Sequence, residues 1–374
     1  MNTSSFDDNG FEKFIGQQDS AGLRSETTDT LKPLVSILIP AYNAEEWIAD
    51  TLRSAIAQTW DRKEIIVVDD GSTDRTNAIA RLFQPQGILI VRQENQGASA
   101  ARNKAFSLSH GDYIQWLDAD DLLAPDKIAK QMAVLDESGS KNLLFSSAWG
   151  GFLYRHYRAN FVPTALWCDL SPTEWLLRKM DQNIYMQTST WLVSRQLTEA
   201  AGPWDTRLLG DDDGEYFCRV LLGSEGVRFI AEGKVYHRTP GLAFGGLSHI
   251  GRSARKIDAH WLSMQLHIRY LRSLEESERV RIACLRYLQN SMIYFYPERP
   301  DIVGQAEHVA GELNGQLQCP HLSWKYNWMK VILGWHLAKR GRHLLLSFRW
   351  AATKFWDKVL FHVEGRRPLG DLGI

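Results

Sequence analysis

The sequence predicts an α/β protein, with a mostly parallel central sheet covered by helices on both faces and a small helical region at the C-terminal end. Two observations carry this. From Pro33 to about residue 137, short apolar runs alternate with stretches of helical periodicity, the β-α-β-α order that parallel strands require. The strand candidates are also apolar at consecutive rather than alternate positions, as strands buried on both faces are.

The elements follow in order. Residues 1–32 hold Asp7, Asp8, Glu12, Asp19, Glu26 and Asp29 against Lys13, Arg24 and Lys32, with little apolar surface to offset ordering entropy, so a disordered polar leader is expected. It lacks the basic-then-apolar layout of a secretory signal. Strands are expected at 35–39, 64–68, 87–91 and 112–117, and helices at 44–58, 73–83, 97–108 and 125–137. From about 140 to 245 the pattern loosens into strands at 143–146, 190–193 and 227–230 and helices at 172–180, 195–201 and 213–223. This divides a 33–245 domain into a first half to 125 and a second half from 126. Leu262, Leu266, Tyr270, Leu271 and Leu274 then mark a helical appendage over 246–320.

The last segment, 321–374, differs in character. Between 322 and 362, eight basic side chains (Lys325, Lys330, Lys339, Arg340, Arg342, Arg349, Lys354 and Lys358) face Asp357 alone, interleaved with Trp324, Trp328, Trp335, Trp350 and Trp356. Two readings stand: an interfacial helix on an anionic membrane surface, or a helix docked on the protein by its tryptophans. No run approaches the ~18 apolar residues of a membrane span.

Composition narrows the function. Lys+Arg 43 against Asp+Glu 44 leaves a net charge of −1, so there is no global field to hold nucleic acid. Cys168, Cys218, Cys284 and Cys319 form neither a CxxC pair nor a disulfide framework, which points to a reducing, cytoplasmic setting, with the inner membrane face as its edge.

In an open parallel sheet, ligands bind outside the carboxyl ends of the strands. Three polar clusters fall there: Pro40-Ala41-Tyr42-Asn43-Ala44-Glu45, Asp69-Asp70-Gly71-Ser72-Thr73-Asp74 and Asp118-Ala119-Asp120-Asp121. Carboxylates two apart at a strand end suit Mg²⁺ or Mn²⁺, which takes one or two carboxylates plus diphosphate oxygens. The structural alternative is that Asp121 caps the segment running to Pro125. Two adjacent carboxylates at a buried strand end, Asp69 and Asp70, are costly without partners. A nucleobase N–H or ribose hydroxyls would serve, and the alternative is a tight turn at Gly71 with Ser72 or Thr73 capping the next helix.

The order of the pieces says more than any one of them. Val35-Ser36-Ile37-Leu38-Ile39-Pro40-Ala41-Tyr42-Asn43, then Ile66-Val67-Val68-Asp69-Asp70-Gly71-Ser72-Thr73-Asp74, then Asn95-Gln96-Gly97-Ala98-Ser99-Ala100-Ala101-Arg102-Asn103, then Leu117-Asp118-Ala119-Asp120-Asp121 strongly resembles the family 2 glycosyltransferases of GT-A fold. The resemblance covers roughly 33–245 and is firm to 125. It implies an inverting enzyme that moves a sugar from a nucleoside-diphosphate sugar, a UDP-sugar first, to a hydroxyl of a glycan, lipid-linked or protein-bound acceptor. It implies that Pro40, Ala41, Tyr42, Glu45, Asp69 and Asp70 hold the base and ribose, with Gly97 opening a loop and Arg102 against the nucleotide. Asp118 would lie near ribose or sugar, and Asp120 would reach a divalent metal, Mn²⁺ or Mg²⁺.

The family commonly carries Gly-x-Phe-Asp-Glu, a spacer, Glu-Asp and an Arg six residues later. Here Gly202-Pro203-Trp204-Asp205-Thr206 and Asp211-Asp212-Asp213 precede Arg219, which makes Asp213 the implied catalytic base and Asp212 the second choice. The alternative is an acid-rich helix N-terminus. Further on, His237 precedes Gly241, Gly245, Gly246 and Gly251, a candidate lid in which His237 approaches the metal or diphosphate, or else a linker with a structural histidine. Trp149, Trp167, Trp175 and Trp191 could stack on sugars, although most of them read as core. Two other classes are weighed. A nucleotidyltransferase would want a Gly-rich basic phosphate loop after strand one, absent from 40–45. A catalytically silent membrane-surface scaffold would not need Asp118, Asp120 and Asp213.

Overall fold

Val35, Ile37, Leu38 and Ile39 are completely buried because the strand that carries them is central, with strands on either side and helices above and below. A computed structural model describes residues 32–239, 253–320 and 324–365. In chain order the first half runs β1 (Val35–Ala41), α1 (Ile48–Ile56), β2 (Lys63–Asp70), α2 (Thr76–Arg81), β3 (Leu89–Gln93), α3 (Ala98–Ser107) and β4 (Tyr113–Trp116). β1 pairs in parallel with both β2 and β4, and β2 in parallel with β3, so the carboxyl ends of all four strands fall on one edge.

The second half runs β5 (Leu122–Leu123), α4 (Lys127–Ser138), β6 (Leu143–Phe152), β7 (Asn160–Phe161), α5 (Pro172–Gln182), β8 (Leu192–Ser194), α6 (Arg195–Ala201), α7 (Asp212–Leu222) and β9 (Gly226–Arg238). β8 lies antiparallel to β4 and to β6, so the sheet changes from parallel to mixed there, in the order β3-β2-β1-β4-β8-β6-β9-β5, with β7 on β6. Ser171 and Ser194 accept the backbone N–H groups of Glu174 and Leu197 and start α5 and α6. β9 is far longer than the expected 227–230, since its middle holds exposed Glu232 and Lys234 and reads as a break. Pairing with β6 resumes past a register shift at Ser147/Trp149 and carries the strand to Arg238.

Among the described residues four helices follow: α8 (Ala254–Leu274), α9 (Glu278–Phe295), α10 (Pro300–Glu312) and α11 (Trp324–Glu364), the last broken at Gly334 (φ 76°, ψ 169°). Ser253 and Ser277 cap α8 and α9. One apolar cluster runs from Leu38 and Trp116 through Trp191, Trp204 and Tyr216 to Trp261, Tyr287, Phe295 and Ile302, so the C-terminal helices share a core with one face of the sheet. The other face has its own cluster, with Ile37, Ile39, Ile48, Leu52, Val67 and Ile128.

α11 returns to the sheet domain through its acids. Arg155 pairs with Asp357 at 2.8 Å and with Glu364 at 2.7 Å, the Tyr154 N–H donates to Asp357, and Lys358 reaches Glu46 at 3.2 Å. Leu344, Phe348, Phe355 and Trp356 on the same helix are exposed. The expected leader and the Gly-rich stretch proposed as a lid lie outside the described residues, apart from Lys32 and the ends of the lid region.

Trp204 is the keystone of the shared core. It stacks on Tyr216 at 4.0 Å between ring centroids and meets Trp116 edge-on at 5.2 Å. Trp204→Ala is expected to cost about 3–5 kcal/mol, with Trp204→Phe losing less, as measured by urea unfolding.

Candidate active site

The carboxyl ends of the strands are stitched together by short polar contacts before any ligand enters. Past β1, Asn43 (φ 48°) donates its N–H to Ser72 Oγ at 3.0 Å and accepts from the Thr73 N–H at 2.9 Å, tying the loop after β1 to the loop after β2. Asp70 ends β2 and accepts from Gln93 Nε2 at 2.8 Å, the Gln96 N–H at 2.9 Å and the Gly97 N–H at 2.8 Å, so it holds the loop that starts α3. Gly71, at φ 74°, passes so close to that loop that a Cβ would lie 2.8 Å from the Asn95 nitrogen.

These contacts frame a cavity of about 640 Å³ lined by Pro40, Ala41, Tyr42, Asp70, Gly97, Arg102, Asp118, Asp120 and Asp212. Glu45 and Asp69, singled out with them, do not line it. Glu45 accepts from Arg75 on the outer rim (3.2 Å), and the fully buried Asp69 accepts from the Ser72 N–H at 3.1 Å with Arg92 at 3.4 Å.

Arg102 is the buried cation of the site. Its guanidinium donates to Asp212 at 2.7 Å and to Asp118 at 2.8 Å and lies 4.4 Å from the Trp204 ring. Burial alone would favour the neutral form, but the Asp212 and Asp118 carboxylates outweigh it and raise the pKa. Asp212 is thereby committed, accepting also from Ser99 Oγ at 3.1 Å.

Asp213, next along α7, turns away from Arg102 into a second cavity of about 330 Å³, where Thr188 Oγ1 donates to it at 3.2 Å. Burial, then the Asp212 and Asp211 charges, push its pKa up to about 6. Of the described residues lining the two cavities, only Asp118 lines both.

Asp121 caps nothing, contrary to the helix-cap reading. Fully buried, it accepts from the Arg238 N–H at 2.9 Å and from Ser189 Oγ at 3.0 Å, and also from Gln187 Nε2, and it meets His237 Nδ1 at 3.0 Å. His237 sits on β9 and lines the second cavity. Burial would lower its pKa, but Asp121, then Asp120 and Asp118, outweigh that and hold it up to about 9.

The Asp120 carboxylate makes no hydrogen bond among the described residues, and its backbone oxygen alone is used, by Arg238 Nε. Burial and the neighbouring Asp121 and Asp118 push its pKa to about 7. An unpartnered carboxylate is the kind of oxygen donor a hard divalent cation takes. Among the described residues no group of three or more His, Cys, Asp or Glu is placed to hold a metal ion, so diphosphate or water oxygens would have to supply most of any coordination at Asp120.

Residue reading alone missed Asp121, Gln187 and Arg238, which stacks 3.8 Å over the cavity-lining Trp47. The signal available for Arg238 was its place directly after His237. Of the four tryptophans considered for sugar stacking, Trp175 and Trp191 are buried and line the second cavity, Trp149 packs against Tyr185, and Trp167 stacks on Phe229.

A parallel half-sheet with acidic strand ends, joined to a mixed half that faces a carboxylate across a shared cavity wall, is the GT-A architecture. The chain superposes on S. aureus TarS 1–349, solved with UDP-GlcNAc, with a TM-score of 0.60 at 18% identity, over 75% of this chain and 81% of that one. It superposes on the Pyrobaculum calidifontis mannosyltransferase PcManGT, solved with GDP-Man and Mn²⁺, with a TM-score of 0.50 at 17% identity, over 93% of each chain. Residues 36–188 match the glycosyl transferase family 2 model, and the chain carries a family 2 glycosyltransferase domain.

Among curated relatives, it is 42% identical over 109 residues to the putative teichuronic acid biosynthesis glycosyltransferase TuaG of Bacillus subtilis, covering 28% of this chain and 43% of that one. It is 30% identical over 227 residues to glycosyltransferase GlyA of Streptococcus pneumoniae, covering 58% and 32%. An uncharacterized glycosyltransferase of Rickettsia typhi is 40% identical over 116 residues, covering 31% and 36%. The matches span less than half the length of each of these three relatives.

His237 tests the electrostatics of the site directly. In Asp121→Asn the largest influence holding its pKa up is removed and burial prevails, so its imidazole titration, followed by NMR, is expected to fall from about 9 to or below the ordinary imidazole range.

Proposed function

We propose that the protein is an inverting, metal-dependent glycosyltransferase that moves a sugar from a nucleoside-diphosphate sugar to a hydroxyl of a glycan or lipid-linked acceptor. The observation that carries this is the shared wall at Asp118: a larger cavity with Arg102 and Asp120 on one side, a smaller one with Asp213 on the other. The larger cavity takes the donor, with the nucleotide between Pro40, Ala41, the half-exposed Tyr42 and the loop at Gly97, and Arg102 at its floor. A UDP-sugar is the first choice. The nucleotide sugars bound by TarS and by PcManGT support the donor class.

Asp213 is the base. The acceptor hydroxyl attacks the anomeric carbon from the face opposite the diphosphate, and its proton passes to Asp213 as the new glycosidic bond forms and the bond to the diphosphate oxygen breaks. Arg102 keeps Asp212 out of that role. A divalent cation, held by Asp120 with Asp118 beside it, would offset charge on the diphosphate when bound.

The test is release of nucleoside diphosphate from UDP-, dTDP- and GDP-sugars with Mn²⁺ or Mg²⁺. Metal-dependent turnover of one donor is expected, stopped by EDTA and by Asp120→Ala. Asp213→Asn is expected to lose about 10²–10⁴-fold in transfer while still binding donor. The base works deprotonated, so the wild-type rate rises with pH through about 6 and levels above it, and Asp213→Asn loses that limb.

The same enzyme is proposed to rest on an anionic bilayer, at a cytoplasmic membrane face, through α11. Leu337, Leu344, Phe348 and Phe355 share one exposed helical face, flanked by Arg340, Arg349 and Lys354. The helix's two acids, Asp357 and Glu364, are drawn to Arg155, which leaves the outward side basic. No described helix is long and apolar enough to cross a membrane. Vesicles containing phosphatidylglycerol are expected to sediment the protein at low salt. Phosphatidylcholine vesicles and the Phe348→Glu/Phe355→Glu variant are expected not to.

A further inference from the structure

The helical appendage supplies one wall of the second cavity, and several polar groups around that cavity have no hydrogen-bond partner among the described residues. His260 from α8 and Tyr287 and Tyr294 from α9 line it beside Trp175 and Lys179 of α5 and the adjoining Trp191. Both ring nitrogens of His260, which is 2% exposed, and the indole nitrogens of Trp175 and Trp191 have no hydrogen-bond partner among the described residues. Lys179 is 6% exposed, and its ammonium donates no hydrogen bond among them either. Asp211 gives that charge its counter-ion, but its carboxylate accepts from Ser263 Oγ at 2.7 Å rather than from Lys179. Buried donors left in this state are costly, and four such residues around one cavity mark a place where a ligand completes the bonding.

The charge around the cavity says which ligand. Lys179 and His237 face three carboxylates, Asp118, Asp211 and Asp213, so no positive charge is left over to attract an anion. Burial outweighs the Asp211 charge and keeps His260 neutral, able to donate from one nitrogen and accept at the other. Indole and phenol rings around hydroxyl-seeking donors match a pyranose, which has an apolar C–H face and a rim of hydroxyls. The volume, about 330 Å³, falls at the small end of ligand pockets.

We propose that this cavity binds an uncharged hexopyranose unit of the acceptor, with Lys179 and His260 gripping hydroxyls of the ring whose remaining hydroxyl meets Asp213. The appendage is then the acceptor-selecting element. This rests on the glycosyl-transfer reading and narrows its acceptor to a neutral sugar end.

The test is titration of the full chain, saturated with UDP or GDP and Mn²⁺, against the methyl glycosides of glucose, galactose, N-acetylglucosamine and glucuronic acid, read by saturation-transfer NMR and calorimetry. At least one neutral glycoside is expected to bind, with the glucuronide weaker, and affinity is expected to fall about tenfold or more in His260→Phe and Lys179→Met. Lys179→Met leaves Asp211 without its counter-ion, so Lys179→Arg, which keeps the charge but replaces the compact ammonium with a larger planar guanidinium that disturbs the fit, is run beside it with melting temperatures. Folded variants are expected to keep wild-type nucleotide affinity, because neither residue lines the donor cavity. Preference for the glucuronide, absence of neutral-sugar binding, or unchanged affinity in folded His260→Phe and Lys179→Arg would overturn the subsite alone. Failure of the wild type to bind either nucleotide would instead bring down the glycosyl-transfer reading, and the subsite with it.

Discussion

A guanidinium with 6% of its surface exposed must be neutralised where it lies, and Arg102 has two partners for that, Asp118 at the end of β4 and Asp212 at the start of α7. Breaking such a pair by removing one member typically costs several kcal/mol, because the remaining charge stays buried. The bridge therefore fixes the second half of the domain against the first at the wall between the two cavities. It also sets the rotation of α7: with Asp212 turned to Arg102, its neighbour Asp213 faces the opposite cavity, beside Thr188.

The acidic residues of the site divide their labour by what each already holds. Asp70 is spent on Gln93 of β3 and two loop N–H groups, Asp121 on a network from β9 and the 187–189 turn, Asp211 on Ser263, and Asp212 on Arg102. Asp120 is the exception, its carboxylate without a hydrogen bond among the described residues, and Asp213 has one contact through Thr188. Carboxylates that satisfy structure have their oxygens committed, whereas Asp120 and Asp213, raised toward neutrality by burial and by like charges, have capacity for a cation or a proton.

The first half of the fold was legible in the sequence because β1 and β2 are continuous apolar runs, each with a helix after it, whose local pattern and final burial agree, and β3 and β4 keep the same alternation with helices. β9 was legible only in its first residues, because Glu232 and Lys234 break the pattern and pairing with β6 is a long-range matter. The same distinction applies to the site. Asp118, Asp120 and Arg102 stand in recognisable motifs, and the motif order placed them. Asp121 looked like a cap, and its role as a buried hub depends on His237 and Arg238, more than a hundred residues away. Glu45 and Asp69 show the converse: adjacency in a motif put them with the cavity residues, whereas their side chains turn to Arg75 and to Ser72 and Arg92.

Gly71 has a consequence for how the protein tolerates change. It carries no functional group, yet any side chain there would need both a left-handed backbone and space already taken by the Asn95 nitrogen. The loop it would displace carries the N–H groups that hold Asp70 and begin α3, on which Arg102 stands. A mutational scan scored by activity would therefore rank Gly71 among the chemically essential positions, and only a parallel scan scored by folding would tell an inert hinge from a working carboxylate.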